Sequence, residues 1–185
     1  MVFRILHLSD IHFSTNRDDE RIIHSDVRDR LLDDLRNEIV PQSGKIDKVL
    51  IAGDIAFSGK RKEYEDAAEW LERVTTICGC NRTDVLTVPG NHDVDRSRIL
   101  PATKMLHSRL RTCSLPDARK ELVDLTEQND GSLTDKLTDY QTFASSYGCR
   151  FESPSRPLWN HSISLGDDCM LKFVGLTTVQ VCDKD

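Results

Sequence analysis

Residues 7–14 read HLSDIHFS, the close of an apolar run over residues 2–8 followed by an aspartate, one residue and a histidine. A short, nearly continuous apolar run of this kind predicts a strand buried on both faces. Asp10 and His12 then stand where strand gives way to loop. Two further runs of the same character, 48–52 and 84–88, end on Gly53-Asp54-Ile55 and on Pro89-Gly90-Asn91-His92-Asp93. Between the first two runs, residues 19–39 carry Ile22, Ile23, Val27, Leu31, Leu32, Leu35 and Ile39 at helical spacing and stop at Pro41 and Gly44. Between the second and third, residues 60–78 carry Tyr64, Ala67, Ala68, Leu71, Val74 and Ile77 on one stripe and stop at Gly79. The alternation strand–helix–strand–helix–strand predicts an α/β fold with a mostly parallel sheet and right-handed crossovers.

In open α/β sheets, ligands bind beyond the carboxyl ends of the strands. Three successive strands here release Asp10, His12, Asp54, Asn91, His92 and Asp93 onto one sheet edge. Each group alone has an ordinary structural reading, since an aspartate after a strand often closes a turn or caps a helix. Together they form a set of oxygen and nitrogen donors without a thiolate, suited to Mn, Fe or Zn. Asp54, on the middle strand, is placed to bridge two divalent ions, with Asp10 and His12 holding one and Asn91 the other. Two ions about 3.5–4 Å apart clamp a phosphoryl group for in-line displacement. His92, beside a ligand but free of the metal, is placed to protonate the leaving oxygen. Asp93 either orients His92 or caps the helix that follows. Gly53 and Gly90 allow the backbone to pass close to a ligand.

Composition fits a single soluble domain. The chain has 185 residues, 38% hydrophobic and 30% charged, and its net charge of −6 argues against broad nonspecific binding to nucleic acid. No stretch approaches the roughly 18–20 apolar residues of a membrane span. The N-terminus lacks the pattern of a signal peptide, so a cytoplasmic location is expected. The six cysteines, at 78, 80, 113, 149, 169 and 182, are expected to be reduced and structural.

Beyond the third strand the pattern changes. Residues 95–128 and 132–147 read as helices around the turn Asn129-Asp130-Gly131, and residues 161–165 and 169–176 read as a hairpin around Gly166-Asp167-Asp168. The helical insertion over about 96–150 either caps the site or packs on the sheet. His24, His107 and His161 lack the sheet-edge setting of a ligand. Two basic clusters, Lys60-Arg61-Lys62 and Arg96 with Arg98, read either as solvated helix starts or as a rim for a phosphate diester.

The motifs Asp10-x-His12, Gly53-Asp54-x-x-x-x-Gly59 and Gly90-Asn91-His92-Asp93, each after a strand, resemble the calcineurin-like metallophosphoesterase superfamily. The wording is most similar to bacterial phosphohydrolases in which this domain heads a longer chain. The resemblance implies an α/β/β/α sandwich, incomplete at its C-terminus, with core motifs over residues 3–95 and further core strands over about 161–180. It also implies two divalent metal ions, with Asp10, His12, Asp54 and Asn91 as ligands and His92 as catalytic acid. A lone metal-binding histidine and a Gly-His-x-His, which the resemblance also implies, are absent from the 185 residues. The expected activity is hydrolysis of a phosphate ester, more readily a phosphodiester (cyclic nucleotide or nucleic acid) than a protein phosphate. A C-terminal extension or partner chain is expected to supply what is missing. The competing expectation is a non-catalytic binding or regulatory module with a partial metal site.

Overall fold

A computed structural model describes residues 2–15, 19–166 and 169–183, with the side chains of residues 19–24 outside that description. Strands β1 (Ile5–Leu8), β2 (Lys48–Ala52) and β3 (Val85–Val88) form a parallel sheet in that order, with Leu6 opposite Val49 and Leu50 opposite Leu86. Helix α1 (Asp19–Asp34) runs through a π turn (Leu35–Ile39) into the single turn α2 (Val40–Ser43), which ends at Gly44 with φ +83°. Helix α3 (Arg61–Cys78) starts where Glu63 accepts hydrogen bonds from the backbone N–H groups of Ser58 and Lys60, both at 3.0 Å. The Lys60 amide, at the N-cap, is one that the helix start leaves unpaired, and the Ser58 bond ties the preceding loop to it. Tyr64, Ala67, Trp70, Leu71 and Val74 of α3 share one core with Leu32, Leu35, Val49, Ile51 and Val85. Each large apolar side chain buried there contributes about 1.5–3 kcal/mol.

The rest of the chain comprises α4 (Pro101–Thr112), α5 (Leu115–Glu127), α6 (Thr138–Ser145) and the antiparallel hairpin β4 (Leu158–Gly166) and β5 (Cys169–Leu176). The hairpin is pinned to the parallel sheet by the Trp159 indole N–H, which donates to the Thr87 carbonyl at 2.8 Å. Gly175 lies against that indole so closely that a Cβ would stand 2.1 Å from Trp159 Cε2. The α/β class and parallel order follow the sequence reading, as do the two helices between the strands.

Three details differ. Strand β1 is not buried on both faces, because Ile5 and His7 face outward and only Leu6 and Leu8 turn toward the core. The long helix expected over 95–128 is broken. Pro101 and Pro116 each lack an amide hydrogen and fit only a first helical turn, so α4 begins at Pro101 and α5 has Pro116 as its second residue, with Ser114 capping α5. The expected helix over 132–147 shortens to α6 after a tight turn at Asp135–Leu137. The insertion therefore divides into α6, which buries Tyr140 and Phe143 in the core, and α4 and α5, which leave Met105, Leu115 and Val123 exposed. The expected turn residues Asp167 and Asp168 lie outside the described residues.

A buried polar network holds the chain beyond β5. Lys136, 2% exposed, donates to the carbonyls of Gln180 and Cys182, both at 2.7 Å, and its Nζ lies 3.3 Å from His107 Nε2. His107 Nδ1 lies 3.1 Å from Asp183, which also accepts from Arg111 at 2.5 Å. Burial brings the Lys136 ammonium down from 10.5 to about 8. Between those values the unfolded chain holds the proton and the folded chain does not, so this group makes stability rise with pH across that window. The rise is on the order of 1–3 kcal/mol. Denaturant unfolding from pH 7.5 to 9.5 is expected to show it as a positive difference in slope between the wild type and Lys136→Met. Parallel curves would refute this.

Candidate metal centre

Four peptide hydrogen bonds lash the loop after β1 to the loop after β2. Asp10 and His12 N–H donate to the carbonyls of Gly53 and Asp54, at 3.3 and 3.0 Å, and Phe13 N–H donates to Ile55 at 2.8 Å. Phe57 N–H returns a bond to the Phe13 carbonyl at 2.9 Å. Within this lashing Asp10, His12 and Asp54 all take positive φ, at +56°, +50° and +52°. A side chain in that region costs on the order of 1–3 kcal/mol and persists only where the surroundings enforce it. The strained turns gather one ligand atom from each of the three residues, all within 4.8 Å of one another. His12 Nε2 lies 4.0 Å from Asp10 Oδ1. Among the described residues this is the one group of histidine, cysteine and carboxylate side chains so arranged.

The third loop closes over the second without space between them. A Cβ on Gly53, which has φ +94°, would sit 2.8 Å from Gly90 Cα, and one on Gly90 would sit 2.1 Å from Asp54 Oδ1. That contact lets the His92 amide donate to Asp54 Oδ1 at 2.9 Å. The His92 ring packs edge-on to the His12 ring, with centroids 4.8 Å apart, and its Nδ1 lies 3.0 Å from the Phe57 carbonyl. A carbonyl only accepts, so Nδ1 carries the hydrogen and Nε2 is the atom left to gain or give a proton. Asn91 is exposed on the turn between Gly90 and His92.

Asp93 departs from both roles expected of it. Its carboxylate is fully buried and accepts from the backbone N–H groups of Ile55, Ala56 and Gly90 at 3.3, 2.9 and 2.9 Å, and from the Tyr64 hydroxyl at 3.0 Å. Burial pushes its carboxyl up to about 6, against the pull of those four hydrogen bonds. With its oxygens committed to the loops after β2 and β3, Asp93 is a structural tie rather than the partner of the His92 ring. The cap belongs to Asp95, whose Oδ1 accepts from Ser97 N–H at 3.0 Å.

Four of the cations in the basic clusters, Lys60, Arg61, Lys62 and Arg98, are paired with carboxylates. Lys60 bonds Asp95 at 2.5 Å, Lys62 bonds Asp66 at 2.6 Å, Arg61 lies 3.2 Å from Glu65, and Arg98 lies 3.3 Å from Asp95. These contacts match the solvated helix start rather than a free phosphate-binding rim. Of the remaining histidines, His107 belongs to the buried network and His161 bonds the Gly148 carbonyl at 2.9 Å. The side chain of His24 lies outside the described residues. Three supporting groups escape the sequence reading. Arg28 donates to the carbonyl of Ile11 at 3.1 Å and lies over the Phe13 ring at 4.3 Å. Phe57 acts through its carbonyl, and Tyr64, assigned only to the apolar stripe of α3, also binds Asp93. The spacing of Tyr64 carries no sign of its hydroxyl's partner, and a carbonyl acceptor such as Phe57 leaves no mark in a sequence.

Comparison with known proteins follows the same residues. The sequence model of the calcineurin-like phosphoesterase family matches residues 3–173. The chain belongs to that family. A relative is the uncharacterized metallophosphoesterase-like protein YydB of Bacillus subtilis, 35% identical over 96 residues. That match takes in 52% of this chain and 18% of YydB, so the chain spans less than a fifth of its relative's length. Membership accords with the α/β fold, the parallel sheet and the Asp10, His12 and Asp54 group. No helix among the described residues of this phosphoesterase-family chain is long and apolar enough to cross a membrane.

In this family member Gly90 is the residue with least tolerance at the site. A Cβ there would also stand 2.5 Å from the Asp54 backbone nitrogen, so Gly90→Ala forces the loops after β2 and β3 apart. Loss of such supporting geometry typically costs about 10–100-fold in metal affinity, and that is the expected weakening in a Mn²⁺ titration of the variant.

Proposed function

We propose that this domain hydrolyses phosphate esters with the help of divalent metal ions, and that phosphodiesters, such as a cyclic nucleotide or a nucleic-acid strand, are its preferred substrates. The observation that carries the reading is the convergence of Asp10, His12 and Asp54 within 4.8 Å, with the His92 ring 4.8 Å from that of His12. Two carboxylates and an imidazole are the donor set that Mn, Fe or Zn takes, and three enforced left-handed residues describe a pre-formed cradle. The residues present therefore fit a metal. Asp10, His12 and Asp54 would hold one ion, and Asp54 with Asn91 would contribute to a second. The bound metal would supply Lewis-acid stabilisation of charge on the phosphoryl oxygens.

The protein's own groups account for positioning and proton transfer. Asp54 Oδ1 takes the His92 amide hydrogen, which fixes the carboxylate relative to the third loop. The Phe57 carbonyl holds the hydrogen on His92 Nδ1, so a proton delivered to a leaving alkoxide comes from Nε2. Arg28 and the peptide lashing keep Asp10 and His12 turned toward Asp54. The preference for diesters rests on resemblance, and is supported by the carboxylates that already pair Lys60, Arg61, Lys62 and Arg98 and so compete with a doubly charged monoester for those cations.

The test is turnover of an aryl phosphodiester and the matching aryl phosphomonoester by the full-length protein with Mn²⁺. The reading predicts faster turnover of the diester and loss of activity in Asp54→Asn. Faster turnover of the monoester would overturn the substrate class, and metal binding without turnover of either would replace the enzyme with a non-catalytic metal-binding module.

A further inference from the structure

The loop after β2 carries three apolar residues in a row, and they part company. Ile55 and Ala56 are fully buried in the core. Phe57 is half-buried and belongs neither to the core nor to the partly buried apolar side chains packed against it. Its ring lies instead among imidazoles. The centroid is 5.3 Å from that of His92, tilted at 38°, and 6.1 Å from that of His12, edge-on at 68°. With the His12 and His92 rings 4.8 Å apart, the three rings form one aromatic cluster at the candidate metal centre. A large apolar ring left half in water forgoes part of the gain that burial in the core would bring. The backbone of Phe57 does not account for the ring. Its N–H donates to the Phe13 carbonyl at 2.9 Å and its carbonyl faces His92 Nδ1 at 3.0 Å, both main-chain contacts that a smaller residue would also make.

We infer that the Phe57 ring is a stacking platform for a nucleobase on the substrate, and so a specificity-determining residue of the site. The inference rests on the phosphoester reading for the place of the phosphate. With a phosphate at Asp10, His12 and Asp54, the leaving oxygen has to meet His92 Nε2, and the ester group it carries passes the ring packed beside His92. An aromatic face at that point favours a planar π system over an aliphatic group of the same size. Every nucleobase offers such a face, so stacking selects for a base without selecting which one. The polar neighbours of Phe57 in the same stretch are already engaged. The Ser58 hydroxyl donates to Glu63 at 2.8 Å, and Lys60 donates to Asp95 at 2.5 Å and to the Ser97 hydroxyl at 2.8 Å. Of the side chains at residues 57–60, the phenyl ring is therefore the surface left for the ester group, and it recognises shape and π character rather than charge.

Equilibrium binding of adenosine monophosphate and of ribose phosphate, both esterified at the primary hydroxyl, to the full-length protein with Mn²⁺ tests the inference. The two ligands share the sugar phosphate and differ in the base. The wild type is expected to bind the nucleotide about 5–150-fold more tightly, the range that one base–aromatic stack supplies. Phe57→Ala is expected to lose that advantage and Phe57→Tyr to keep it. Phe57→Leu retains apolar bulk in the loop without a π face, serves if the alanine variant disturbs the loop, and is expected to lose most of the advantage. All three variants retain the backbone carbonyl that faces His92 Nδ1. Equal affinity for the two ligands in the wild type would overturn the inference, as would an advantage that survives in both Phe57→Ala and Phe57→Leu. An equal weakening of both ligands in Phe57→Ala would also overturn it, because a ring that only braces His92 gives that result. Turnover of an aryl phosphodiester by the same preparations separates the inference from the reading beneath it. Turnover without a base preference leaves the hydrolase and removes the platform, whereas base-dependent binding without turnover leaves the platform in a nucleotide-binding module.

Discussion

Replacing His92 with alanine is expected to lower kcat for an aryl phosphodiester by about 10²–10⁴-fold while leaving Mn²⁺ affinity within a few-fold of wild type. The two effects separate because His92 reaches the site in two ways. Its amide N–H, which alanine retains, donates to Asp54 Oδ1 at 2.9 Å and supports the ligand geometry. Its ring, which alanine removes, is oriented by the Phe57 carbonyl at 3.0 Å, and in the proposed reaction Nε2 would transfer the proton. A leaving aryl oxide needs little protonation and an alkyl oxide needs much. The defect is therefore expected to grow as the leaving group becomes more basic, a dependence that steady-state kinetics over a series of diesters measures directly. Equal defects across the series would assign His92 to positioning alone.

The largest loss of stability is expected from Asp93→Ala, at about 3–5 kcal/mol. The carboxylate is fully buried and serves three backbone amides and the Tyr64 hydroxyl. Removing it strands those donors at the point where the loops after β2 and β3 meet, and each unsatisfied buried donor costs about 1–3 kcal/mol. Tyr64→Phe removes only one of the four bonds and is expected to cost about 1 kcal/mol. Denaturant unfolding of both variants measures the contrast. Because Ile55 and Ala56 directly follow Asp54, and Gly90 precedes Asn91, Asp93→Ala is also expected to weaken metal binding without touching a ligand. A loss below about 1 kcal/mol would show that the loops hold their geometry without the tie.

The fold was legible where local pattern and long-range packing agree. The apolar stripe from Tyr64 to Ile77 is that of a helix packed on a sheet, and Gly79 ends it in the left-handed turn that the residue type suggests. The stretch after residue 95 was less legible because a helical pattern continues through Pro101 and Pro116, where the backbone cannot. At the site, the spacing of Asp10, His12 and Asp54 revealed which residue types converge. It did not reveal the left-handed backbone that makes them converge, since only glycine announces such a conformation and these three are not glycine. Asp93 is misleading in the sequence for a related reason. Its place in the run Asn91-His92-Asp93 suggests a role beside His92, but three of its four partners lie far back, Ile55 by 38 residues, Ala56 by 37 and Tyr64 by 29. Partners so distant in sequence leave no local signal.

The central claim is that Asp10, His12 and Asp54 hold a divalent metal, and Mn²⁺ binding followed by electron paramagnetic resonance tests it most directly. The free aqueous ion gives a strong six-line signal that broadens on binding, so titrating protein into Mn²⁺ counts bound ions without reference to activity. The wild type is expected to remove the signal saturably, and Asp54→Asn, which retains the shape of the side chain but not its charge, to lose that binding. An Asp54→Asn variant that takes up Mn²⁺ with wild-type affinity would contradict the account.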